Sequence, residues 1–291
     1  MYPTTGPWSD LPRLPDASAK AVGTFVRRRF EARYPETDGS FITRRFHNLE
    51  AMFAGEYEGF QAMDTLYHDL EHTLQATLCM VCLLEGREAR ETQPAVDART
   101  YSLALLAIML HDLGYLKRTG DNTGTGAKYT DVHEIRSCEH ARSYLERRGE
   151  TEADIRTVEN LIRCTGPRAD LARIPFQNPL ERELGLMVCT ADFIGQMSDP
   201  RYVEKLPTLY GEFLENYEYR GIPVEERPFQ SYDDLLQKTP GFWTAFVVPR
   251  MTDACDNVWR YLEDPATGRN PWREAIEANL TRLRAELSPA P

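Results

Sequence analysis

The sequence predicts an all-α fold, and three observations carry that prediction. Eight segments (66–86, 97–113, 133–148, 151–164, 178–197, 200–218, 240–263 and 270–287) place apolar residues three and four apart, the spacing of a helix that buries one stripe. Period-two alternation, the mark of a half-buried strand, is nearly absent. Capping residues stand at the ends: Asp64 and Thr65 before the first segment, Thr151 opening TEADIRTVENLI, and Gly86, Gly114 and Gly149 where segments stop.

Taken in order, the first 16 residues hold four prolines and few core-formers, which predicts an extended arm. Arm and helix together take residues 1–35, a helical core takes 36–264, and a C-terminal helix at 265–291 packs on it, all within one domain. Residues 117–130, KRTGDNTGTGAKYT, form a Gly/Thr-rich loop directly after the helix that ends in His111-Asp112, and they serve either as a lid or as a plain connector. A second break from Arg220 to Asp233 contains two prolines and sets off the C-terminal helices. Those helices have three roles open to them: covering a cleft, forming a homodimer, or completing the core.

Composition narrows the partners. With 34 basic against 45 acidic residues the net charge is -11, so the average field repels long nucleic acid and anionic lipid. A small phosphorylated substrate stays compatible, because a bound divalent cation and a few local basic residues reverse the sign inside one cleft. No window approaches the roughly 18 apolar residues of a membrane span, and the opening segment lacks a basic start followed by an apolar stretch. A cytoplasmic protein without membrane contact is expected. The six cysteines are scattered through apolar segments and read as reduced core thiols, including the pair Cys79-x-x-Cys82.

Chemistry concentrates in three places. His68 and His72 lie four residues apart inside helical periodicity, which would put both imidazoles on one helix face. The run Leu103 to Leu110 is almost wholly apolar and ends in His111-Asp112-Leu113-Gly114. An ionised carboxylate there is costly unless a cation or hydrogen bonds compensate it, and a terminus relaxed by Gly114 lets both side chains turn to one site. The apolar helix from Leu184 to Ile194 likewise carries a single acidic residue, Asp192. His72, His111, Asp112 and Asp192 make a mixed nitrogen and oxygen set suited to Mn, Fe, Zn, Mg, Co or Ni, with one or two ions per chain and positions open for water and substrate.

This order, a histidine, an adjacent His-Asp pair and an aspartate 80 residues later, resembles the H…HD…D signature of the HD-domain superfamily over roughly residues 60 to 200. The resemblance implies an HD-domain helical bundle with additional N- and C-terminal helices. It also implies a metal-dependent phosphohydrolase acting on a small phosphorylated metabolite or nucleotide, monoester or diester. His72 takes the place of the first ligand, His111 and Asp112 of the pair, and Asp192 of the last ligand, with Asp112 counted among the catalytic residues too. Tyr67-His68-x-x-x-His72 is similar to the Y-H-N-x-x-H element of cyclic-nucleotide phosphodiesterases, which makes His68 the general acid, oriented by Asp69 or Glu71. Asp69 replaces the usual Asn, and Leu113-Gly114-Tyr115 lacks a further histidine of those enzymes. His133-Glu134-x-x-Ser137 is similar to an H-E-x-x-S element of small bacterial HD proteins, giving His133 to a second metal and Glu134 to the attacking water; otherwise Glu134 only complements a helix dipole beside a cap at Thr130 or Asp131.

For substrate contacts Lys117, Arg163 and Gln196 rank first, ahead of Arg118 and Lys128, with Met197, Tyr202 and Tyr210 as a pocket wall or as core. His140 is expected on a helix surface, and His47 has no partner in the sequence. Two rival readings remain: an HD-type diiron oxygenase using His72, His111, His133 and His140, and a catalytically silent HD module that binds a nucleotide.

Overall fold

The computed structural model describes residues 8–12, 14 and 17–287. Among these residues are ten α-helices and no sheet: α1 (Ala19–Arg33), α2 (Ser40–Phe53), α3 (Leu70–Ala89), α4 (Ala98–Leu110), α5 (His133–Glu146), α6 (Glu152–Ile162), α7 (Pro179–Met197), α8 (Tyr202–Tyr219), α9 (Tyr232–Phe242) and α10 (Pro271–Leu287). Extended pairing is confined to one antiparallel bridge between Phe60 and Arg118. No helix among the described residues is long and apolar enough to cross a membrane.

α3 and α7 are buried on nearly every face and pack on each other at the centre, as helices apolar all round must. α4, whose last ten residues are all buried, lies against both, and α6 packs on α4 and α7. α5 packs on α6 and on the short 3-10 turn Leu113–Tyr115 that follows α4. α1 and α2 form a hairpin whose first helix reaches α3, and α10 packs on α7, α8 and α9. Side-chain caps fix the entries of the helices that matter most: Asp69, Asp97, Thr151 and Asn178 accept from the backbone N–H of His72, Thr100, Asp154 and Glu181, each at about 1 kcal/mol.

Several expectations shift. Asp69 rather than Asp64 or Thr65 caps the first central helix, so α3 starts at Leu70 and residues 66–69 are a turn. Gly86 lies inside α3, where an added Cβ would meet the Tyr261 carbonyl oxygen at 1.7 Å; it allows close approach and ends nothing. α2, built on Ile42, Phe46, Leu49 and Met52, is absent from the predicted segments. The segment 240–263 is not one regular helix. Pro240 and Pro249 lack the N–H that an i to i−4 ladder needs, and the chain passes through π turns at Trp243–Val247 and Arg250–Ala254 before a 3-10 turn at Val258–Leu262. Most of the arm lies outside the described residues, but Trp8, Leu11 and Leu14 are buried in the core. All six cysteines are free and buried.

Candidate metal centre

Three helices and one turn deliver the centre. α3 supplies His72 from its first turn, His111 is the C-cap of α4, and Asp112 leaves helical geometry at φ −104° and ψ 6°. α7 supplies Asp192 from its apolar length. The ligand atoms of His72, His111 and Asp112 all lie within 4.8 Å of one another, and all three residues are buried. His72 Nε2 is 3.3 Å from His111 Nε2, and Asp112 Oδ2 is 3.1 Å and 3.2 Å from these two nitrogens. Asp192 Oδ1 stands 3.4 Å from each of the same nitrogens.

His111 Nδ1 donates to the Ile108 carbonyl at 2.7 Å, which fixes the tautomer and turns the Nε2 lone pair inward. Asp112 Oδ2 is buried without a hydrogen-bond partner. Burial alone would lower the His72 pKa, but Asp112 and Asp192 hold it up at about 9, and His111 is likewise held well above the ordinary imidazole range against its burial. Burial opposes ionisation of Asp112, yet the same two imidazoles push its carboxyl well below the usual range. An orphaned carboxylate oxygen facing two imidazole nitrogens is a donor set that could hold a metal ion, so the residues present fit one.

The other Asp112 oxygen, Oδ1, is 3.7 Å from His133 Nε2, and His133 Nδ1 lies 2.6 Å from the Thr130 carbonyl, fixing that ring in the same way. One carboxylate thus faces nitrogens on both sides. Glu134 Oε2 is 3.5 Å from His133 Nδ1, and its carboxylate covers Gly166. Gly114 makes this juxtaposition possible by a route the sequence reading missed: its role is clearance, since a Cβ would meet the His133 carbonyl oxygen at 1.9 Å.

His68 lies in the turn ahead of α3 rather than on its face, yet its ring centroid is 5.5 Å from that of His72. Its Nδ1 is held by Glu212 Oε2 at 2.5 Å, while Glu212 Oε1 accepts from the Tyr67 backbone N–H at 2.6 Å. Neither expected partner orients His68: Asp69 is the cap, and Glu71 pairs with Arg201 and Lys205. Glu212 arrives from α8, 144 positions away, and no local sequence pattern signals it. The Tyr115 ring is near-parallel to both His68 and His133, at 4.6 Å and 4.7 Å between centroids, and completes the wall.

The expected substrate contacts fare differently. Lys117 is buried, with Nζ 2.7 Å from the Gly124 carbonyl and 2.8 Å from Asp64. Gln196 links Tyr67, whose hydroxyl donates to it at 3.0 Å, to Asp192, so it braces a ligand. Arg163 is exposed at the end of α6, beside Cys138. Met197 and Tyr202 are buried in the core, and Tyr210 packs on Tyr232. His140 is not a surface residue: it is buried edge-on to Phe60, and burial with the charges of Arg136 and Arg118 lowers it to about 4.

Fold and centre together define an all-helical protein with a buried His-His-Asp cluster compatible with a divalent metal. The chain belongs to the Npun_R2479-like family, whose model matches residues 17–142 and 151–283. That match is not to an HD-domain model, so the HD resemblance stays an argument from residues. No curated protein matches the chain.

Proposed function

We propose that this protein is a metal-dependent phosphohydrolase of the HD type, acting in the cytoplasm on a small phosphate ester. One observation carries the reading: a buried Asp112 carboxylate with an orphaned oxygen, facing His72 and His111 on one side and His133 on the other. His72, His111, Asp112 and Asp192 would hold a divalent ion, with His133 completing a second position. Such an ion acidifies water and neutralises phosphoryl charge.

The chain's own groups then divide the proton work. Glu212 fixes the His68 ring by its Nδ1, leaving Nε2 to give a proton to the departing oxygen. In this reading Glu134, whose carboxylate lies 3.5 Å from His133 Nδ1, would take a proton from the attacking water. Gln196 keeps Asp192 in register, and Tyr115 holds the planes of His68 and His133. The oxygenase alternative counts His140 as its fourth ligand, and His140 packs on Phe60 instead, which weighs against that ligand set.

The test is elemental analysis of the purified protein beside the His111→Ala, Asp112→Ala double variant, with bis-p-nitrophenyl and p-nitrophenyl phosphate hydrolysis on the same samples. The expected result is stoichiometric metal and hydrolysis in the wild type, with both lost in the variant and the rate down by at least about 10³-fold. Two irons without hydrolysis would replace this reading by the oxygenase. No metal even after supplementation would remove the site assignment.

A further inference from the structure

The six buried cysteines are not equivalent. Cys138 and Cys164 donate their thiol protons to the Glu159 and Asn160 carbonyls at 3.5 Å and 3.3 Å. Burial holds the thiols of Cys79 and Cys82 well above their ordinary range. Cys189, on α7, accepts instead: Arg250 Nε donates to its Sγ at 3.5 Å, and the Cys255 thiol bonds to it as well. Arg250 Nη2 donates to the Gly166 and Ala169 carbonyls at 3.2 Å and 3.3 Å, which keeps the guanidinium beside the sulfur. The hydrogen bond from Cys255 and the charge of Arg250 draw the Cys189 thiol below its ordinary range against its burial. Two sulfurs in contact beside a fixed cation are the setting in which one becomes a nucleophile and the other resolves it. Cys255 is also shallow. It follows the π turn Arg250–Ala254, its neighbours Ala254 and Asp256 are exposed, and Asp256 and Asn257 both hold positive φ, at 50° and 56°, which is costly for residues that carry a side chain. A strained stretch without a regular hydrogen-bond ladder opens locally at low cost, which gives a small oxidant a short way in.

We propose that Cys189 and Cys255 are a redox-active pair that hydrogen peroxide converts to a disulfide, pinning the irregular 243–262 segment to α7 three residues ahead of Asp192. The inference is independent of the phosphohydrolase reading. In the first step the Cys189 sulfur bonds to one peroxide oxygen while the O–O bond breaks, and the departing oxygen takes a proton and leaves as water. In the second, the Cys255 sulfur gives up its proton and bonds to Cys189 while the S–O bond breaks, and that oxygen leaves as a second water. Two thiols are oxidised by two electrons in all, and one peroxide is reduced by the same two. Arg250 stabilises the attacking thiolate and is not consumed.

The test is peptide mapping of the folded full-length protein, reduced, treated with hydrogen peroxide and then blocked with N-ethylmaleimide. The wild type is expected to lose about 2 Da before blocking, to leave two of its six thiols unblocked, and to yield one cross-linked peptide pair joining Cys189 to Cys255, opened again by dithiothreitol. Cys164→Ser, which removes the neighbouring thiol whose Sγ lies 2.6 Å from the position a Cβ on Gly185 would take, is expected to close the same bond. Cys255→Ser is expected to stop at the sulfenic acid of Cys189, trapped by dimedone. Because the map is read on the wild type, the decision does not hang on any variant folding. Six thiols that all stay blockable, a bond between another pair of cysteines, a bond lost in Cys164→Ser, or a Cys189–Cys255 bond that closes only in urea would each overturn the pair.

Discussion

The candidate metal centre and the 117–130 loop both bury charge, and they resolve it in opposite ways. In the loop, Lys128 Nζ finds Asp121 at 2.6 Å, the Thr123 carbonyl at 2.5 Å and the Thr123 hydroxyl at 3.1 Å, while Lys117 finds Asp64 and Gly124. Glu215 and Asp64 take the Thr125 and Gly126 backbone N–H groups. Both buried lysines of the loop have their counter-ions inside the protein, which clamps the segment to the body. At the centre, two imidazole nitrogens face each other at 3.3 Å and Asp112 Oδ2 has no hydrogen-bond partner. Balanced burial holds a fold together; burial left unbalanced points to something that arrives from outside.

The comparison sharpens along α8, which serves both regions: Glu212 holds His68, and one turn later Glu215 holds Thr125. Glu212→Gln and His68→Gln are expected to lower turnover by about 10²- to 10³-fold with metal content unchanged, read by steady-state kinetics beside elemental analysis. Equal metal and equal turnover would remove His68 from the chemistry.

A smaller effect separates the two regions by pH. The pairing of His72 with Asp112 and Asp192 lifts it from 6.5 to about 9, so the metal-free fold has this contribution in full below about 6.5 and loses it as pH rises through about 9. In chelator, stability should fall by roughly 3 kcal/mol over that window, whereas metal-loaded protein should move the other way because protons no longer compete for the nitrogens. Urea titrations at pH 6.5 and 9 decide it, and a metal-free protein indifferent to pH would contradict the pairing. Smallest is the break at the loop: Lys128→Met should cost about 2 kcal/mol in urea denaturation and leave metal stoichiometry alone. Loss of metal in that variant would erase the distinction between the regions.

Much of this was legible in the chain because burial of a charge is legible. Asp112 and Asp192 interrupt apolar helices, and the structure brings both beside His72 and His111. Long-range partners were not legible. Glu212 meets His68 only through the packing of α8, and no local spacing encodes that. The lysines misled for the opposite reason, since a cation in a polar loop reads as available until its counter-ion is located in space. The π turns at 243–254 escaped because apolar spacing continued through Pro240 and Pro249 while the hydrogen-bond ladder did not.

Gly114 has a consequence for the working tolerance of the centre. Its missing side chain lets the His133 backbone rest against the turn that carries Asp112, and the Ser137 hydroxyl and Arg136 guanidinium bind the turn from the same helix. The gap between the two nitrogen-bearing walls is therefore gauged by backbone against backbone, with no adjustable side chain between. A spacing set this way does not depend on a rotamer at the contact, so the distance between the Asp112 turn and the first turn of α5 is fixed by the fold itself.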